Sequence, residues 1–167
     1  MRDCCNIGEG GVNRVARNFG MNNKVDAEHI REKLISGELV CLDSSVAQLA
    51  SRHLTETFPF APFGTIVDWG RVPSKMLRWM TVSDEDTVVW ASDTKAGKCT
   101  YGLLLYSPSE PCLLGPFNYM LSNLDELVWG APGCRVLFGV EQSQEIVFTD
   151  GIIEFNGRGE LFASIEG

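Results

Sequence analysis

Few residues in this chain are of a type and spacing that could do chemistry. Cys41 and His53 lie near each other in sequence, residue types that serve as nucleophile and base. That reaction also needs a third group to orient the ring and donors for an oxyanion, and the sequence shows neither. His29, the other histidine, falls on a separate predicted helix. Neither histidine belongs to an HExxH or HxE arrangement. The late acids Glu141, Glu145, Asp150, Glu154 and Glu160 supply carboxylate pairs. A glycosidase needs two such groups about 5–10 Å apart across a cleft, a separation that strand positions do not fix. Scattered acids at strand edges also guard sheets against aggregation. Gly8-Glu9-Gly10-Gly11 has the glycines of a phosphate loop, but no strand precedes it and no Gly-Lys-Ser/Thr follows. Asp84-Glu85-Asp86 opens like a calcium loop, yet Val89 and Lys95 occupy the places where an EF-hand requires Gly and Glu. No catalytic set, no metal site and no cofactor is expected.

Charge is the more informative feature. The 167 residues carry a net charge of -8. Residues 1–83 hold 10 Lys+Arg against 9 Asp+Glu, whereas residues 84–167 hold 4 against 13. A surface of that sign repels phosphate backbones and anionic lipid heads and attracts cationic partners. Simple solubility is the bland alternative.

The 44% apolar fraction is that of a globular chain long enough to bury a core. No apolar run approaches the ~20 residues needed to cross a bilayer. The polar, glycine-rich opening lacks the apolar segment of a signal peptide, and a cytoplasmic location is expected. Cys41, Cys99, Cys112 and Cys134 stand singly beside apolar neighbours and read as reduced core thiols, while Cys4-Cys5 lies in the leader.

Residues 1–23 read as a flexible leader and 24–167 as a single α+β domain. Asp26 is placed to cap a helix bearing Ile30, Leu34 and Ile35, which Gly37 ends. Glu38–Leu42 reads as a short strand or an extended link. Asp43 or Ser44 starts a second helix with Val46, Leu49, Ala50, His53 and Leu54 on one face. Thr57–Gly64 stops it, since Pro59 and Pro62 cannot continue a helix. Thr65–Trp69 is expected as a strand, Pro73–Met80 as helical turns, and Thr87–Ser92 with Cys99–Ser107 as a hairpin. Asn123 caps a short helix over Leu124–Trp129. The last third reads as a meander of Cys134–Glu141, Glu145–Thr149, Ile152–Phe155 and Glu160–Ile165, with a tight turn at Asn156-Gly157-Arg158-Gly159. Helices early and strands late point to an α+β fold, with N-terminal helices packed on a largely antiparallel sheet formed mainly by the C-terminal two thirds.

Ile30-Arg31-Glu32-Lys33-Leu34-Ile35-Ser36-Gly37-Glu38-Leu39, followed by Val46-Ala47-Gln48-Leu49-Ala50, resembles the opening of a GntR-type winged helix. The resemblance implies a regulatory DNA-binding protein. The basic, serine-started recognition helix of that family is missing, because the chain runs into Phe58-Pro59-Phe60-Ala61-Pro62-Phe63. A net charge of -8 also opposes DNA binding.

The expected function is therefore that of an acidic, non-enzymatic protein-binding module. It would act as an immunity or inhibitor protein masking a basic partner such as a nuclease toxin domain, without direct contact to nucleic acid or membrane. The expected contact residues are Asp84, Glu85, Asp86, Asp93, Glu141, Glu145, Asp150 and Glu154, with Phe60 and Phe63 as a preorganised apolar patch. The alternatives are a hydrolytic enzyme using the late-strand carboxylates or Cys41, and a DNA-binding regulator.

Overall fold

In the computed structural model, residues 28–128, 135–142 and 145–167 are described. The expectations placed on residues 1–23, on the Asp26 cap and on Trp129 and Cys134 lie outside them. Helix α1, Glu28–Ser36, stops at Gly37, whose φ of 80° suits glycine alone among unstrained residues. Leu34 and Leu39 enter the core, whereas Ile35 faces solvent. Strand β1, Val40–Leu42, follows. The Asp43 carboxylate accepts the Ser45 amide at 3.0 Å and so caps α2, Ser44–Thr57. Val46, Ala47, Ala50 and Leu54 of α2 are buried; Leu49, expected among them, is exposed.

The remaining strands are β2 (Ser74–Arg78), β3 (Tyr101–Leu105), β4 (Cys112–Pro116), β5 (Arg135–Gln142), β6 (Ile146–Phe155) and β7 (Glu160–Ser164). All seven form one antiparallel sheet in the order β1-β4-β3-β5-β6-β7-β2. Alternation along the strands divides the core in two. Cys41, Leu104, Leu137, Ile153 and Leu161 face α1, α3 (Asp84–Ala91), α4 (Phe117–Ser122) and α5 (Leu124–Val128). Leu103, Val136, Phe138, Val140 and Ile152 face α2 and the segment that carries Phe58, Val67 and Trp69. The fold is α+β with a largely C-terminal antiparallel sheet, and its helices cover both faces. No described helix is long and apolar enough to cross a membrane.

Four local expectations are corrected. Thr87–Ser92 does not form a strand, because Ser83 caps α3 by accepting the Asp86 amide at 3.1 Å and three acids occupy the favourable first turn. These helix signals outweigh the β-branched content of the segment. The expected hairpin is therefore absent, and β3 pairs with β4 and β5 instead. Pro73–Met80 is mostly the edge strand β2, since a proline just before an edge strand removes no ladder bond. In Thr65–Trp69, Val67 alone makes a bridge, to Phe60. The two segments Glu145–Thr149 and Ile152–Phe155 fuse into β6.

Glycine makes that fusion possible. A Cβ on Gly151 would lie 2.5 Å from the Ala96 amide nitrogen, so the 3-10 turn Ala96–Lys98 rests directly on the sheet backbone. Gly139, at the irregularity in the β5–β6 register, meets the same turn. The Asn156–Gly159 turn forms as expected, with the Asn156 side chain accepting the Arg158 amide at 2.9 Å.

Candidate functional site

The aromatic loop after α2 is short and closed. Asp68 donates its amide to Pro59 at 2.8 Å, and Ala61 donates to Ile66 at 2.9 Å. Thr65 Oγ1 donates to the Val67 carbonyl at 2.7 Å, and Gly64 turns the chain with a φ of 85°. Beneath this loop sits Glu154. Its carboxylate accepts the Ile66 amide at 2.6 Å, the Val67 amide at 3.0 Å and Trp69 Nε1 at 3.1 Å. Trp69 in turn stacks on Phe162, with ring centroids 5.9 Å apart. The base of the loop is thus held by charge-assisted hydrogen bonds and by core packing. Its crown carries Phe60, 52% exposed, and Phe63, 87% exposed.

Glu154 itself corrects the expected set. It is 0% exposed and cannot meet a partner. It lies on the same face of β6 as Ile152, turned toward the loop that it organises. Its place in Ile152-Ile153-Glu154-Phe155 was the available signal: an acid within an apolar strand is buried and hydrogen-bonded.

The other acids separate into two groups. Asp93 is paired with Lys75, and Asp150 with Lys95. The hydrogen bond that Lys75 donates holds the Asp93 carboxyl below its ordinary value, and the bond that Lys95 donates to Asp150 raises the Lys95 ammonium. Asp84, Glu85, Asp86, Glu141 and Glu145 are exposed and form no ion pair among the described residues. Partial burial, then the charges of Asp125 and Glu85, push the Asp84 carboxyl up. Spacings of three and four place Glu85 and Asp86 beside Val89, which is 70% exposed. The outer side of α3 is therefore acidic with an apolar centre. Since α3 and the aromatic loop pack on opposite faces of the sheet, no single flat surface contains both.

The nucleophile reading meets a geometric obstacle. Cys41 is buried in the core on the α3 side of the sheet. His53 lies on the other side, its ring stacked on Phe148 at 5.2 Å and its Nε2 donating to the Thr149 carbonyl at 2.7 Å. The sheet stands between thiol and imidazole. Cys99 is half-buried and bonded to Thr149 Oγ1 and the Lys95 carbonyl; burial is the main cause that raises its thiol above the ordinary range. Such a thiol is a poor nucleophile. No group of three His, Cys, Asp or Glu residues suited to holding a metal occurs among the described residues. No protein-family model, no curated protein and no solved structure matches this chain.

Proposed function

We propose that this chain is a non-enzymatic protein-binding module of the immunity or inhibitor type, which masks a basic partner such as a nuclease toxin domain in the cytoplasm. One observation carries the reading: a phenylalanine 87% exposed on a loop whose base is fixed by a buried carboxylate. An exposed Phe on a mobile loop would lose ordering entropy on contact, whereas a loop already held in one shape loses little. Aromatic side chains presented in this way concentrate interface energy. The unpaired acids of α3 and the β5–β6 end supply the sign of the partner by attracting cationic surfaces.

The test is association of the full chain with the protein encoded by the adjoining reading frame, measured at low and high salt. Phe63→Ala is expected to weaken binding at least tenfold, mainly through faster dissociation. Glu85→Lys with Asp86→Lys is expected to slow association and flatten its salt dependence. Absence of binding, or binding insensitive both to Phe63→Ala and to salt, overturns the reading.

A further inference from the structure

We propose that the outer edge of β2 is a docking site for an extended acidic peptide, which joins the sheet as an eighth strand. In the β2–β7 ladder the Pro73 carbonyl accepts the Ile165 amide at 3.0 Å, and the Trp79 amide donates to Gly159 at 2.9 Å. Antiparallel alternation then directs the backbone groups of Lys75 and Leu77 toward β7, and those of Ser74 and Met76 away from it. Among the described residues nothing pairs with that outer side. Thr81 Oγ1 donates to the Arg78 carbonyl at 2.7 Å and closes the far end, leaving a stretch suited to one short strand. A bare edge of this kind is a template for pairing.

The sign of the peptide follows from the charges around the edge. Arg71, Arg78 and Arg158 are exposed and make no ion pair among the described residues. Arg71 precedes β2, Arg78 ends it, and Arg158 lies in the turn whose Gly159 bonds Trp79. The nearby carboxylates are Asp68 and Glu160, the latter opposite Arg78 in the register and accepting from Asn156 Nδ2 at 2.8 Å, so the three arginines leave a small positive excess on a protein of net charge -8. Lysine often shields such edges, but Lys75 Nζ is committed elsewhere, to the Trp90 carbonyl and to Asp93. Met76, 44% exposed and opposite Phe162 in the register, offers apolar contact for the strand's central side chain.

The probe is the blocked pentapeptide Glu-Val-Thr-Val-Glu, with Lys-Val-Thr-Val-Lys as its control, added to the full chain at low salt. Amide hydrogen exchange at Ser74 and Met76 is expected to slow at least tenfold with the acidic peptide and to be unchanged with the basic one. Met76→Pro removes an outward N–H and no bond to β7, so it is expected to abolish peptide binding while keeping the fold. If that variant fails to fold, Arg78→Glu serves in its place, with an expected loss of at least fivefold in affinity. Equal effects of the two peptides, or no effect of either, overturn the proposal. So does slow exchange at Ser74 and Met76 in the free chain at high dilution, which would show the edge already occupied by the chain itself. Concentration-dependent protection without peptide would assign the edge to a second copy and equally overturn it.

Discussion

Replacing Glu154 by Gln isolates the role of its charge, because the two side chains have nearly the same shape. The Oε1 position accepts both the Val67 amide and Trp69 Nε1, and Oε2 accepts the Ile66 amide. A glutamine can keep its carbonyl on the first pair but must then aim its NH₂ at the Ile66 N–H. One half-buried donor loses its acceptor, and two remaining bonds lose charge assistance. An unsatisfied buried donor costs about 1–3 kcal/mol, so a total loss of roughly 2–4 kcal/mol is expected. For a chain of this size that corresponds to a fall in Tm of roughly 5–15 °C. Urea unfolding followed by tryptophan fluorescence measures the loss, and exchange of the Ile66 and Val67 amides locates it. Faster exchange confined to the loop, with the sheet amides changed only in proportion to global stability, is the expected pattern. A variant as stable as the parent, with the Ile66 and Val67 amides equally protected, would refute the view that this carboxylate holds the loop.

Two further perturbations test how the 3-10 turn and α3 are fixed to the sheet. Gly151→Ala places a Cβ 2.5 Å from the Ala96 amide nitrogen and 2.6 Å from the Lys95 carbonyl carbon, backbone atoms that cannot step aside singly. A loss of about 1–3 kcal/mol in denaturant unfolding is expected, with the Lys95 amide released from the Ser164 carbonyl that it meets at 3.1 Å. Asp93→Asn tests the Lys75 pair through pH. The folded-state pKa of Asp93 lies below its ordinary 3.8, so its contribution is complete above that value and fades as pH falls through the lower, folded pKa. The stability difference between parent and variant is therefore expected to be constant near neutrality and to vanish in strong acid. A difference that grows in acid contradicts the pairing.

The sequence was most legible where one residue decides the local backbone. Gly37, Asp43 and the Asn156–Gly159 turn act through their own side chains or their lack of one, and the structure places each boundary nearby. Thr87–Ser92 reads as a strand from its β-branched residues, while Ser83 and the three acids that follow it set the helix from upstream of that segment. β6 was divided at Asp150-Gly151 because that pair also marks turns. Only the turn packed against Gly151 reveals that this glycine serves close approach. Among the candidate contacts, Phe60 and Phe63 stand exposed. Lys75, Lys95 and the orphan amides of residues 66 and 67 claim Asp93, Asp150 and Glu154, through partners between 18 and 88 positions away in the chain. Composition alone carries no trace of such pairings.

The placement of the loop and the α3 acids on opposite faces constrains how charge can contribute to binding. A partner of ordinary size seated on Phe63 does not also lie against the outer side of α3, because the sheet and a layer of helix separate them. At physiological salt, attraction between exposed charges fades over about 8 Å, so those carboxylates add little to the bound state across that thickness. During approach the situation differs, since the field of all the unpaired acids orients a cationic protein before any contact forms. In the proposed complex, Asp84, Glu85 and Asp86 would therefore act on the rate of encounter, and the loop on the lifetime of the complex. The bonds of Glu154 to the loop underlie that division, since they commit one acid of the late cluster to shaping the contact, while exposed acids such as Glu85 and Asp86 stay free of ion pairs among the described residues.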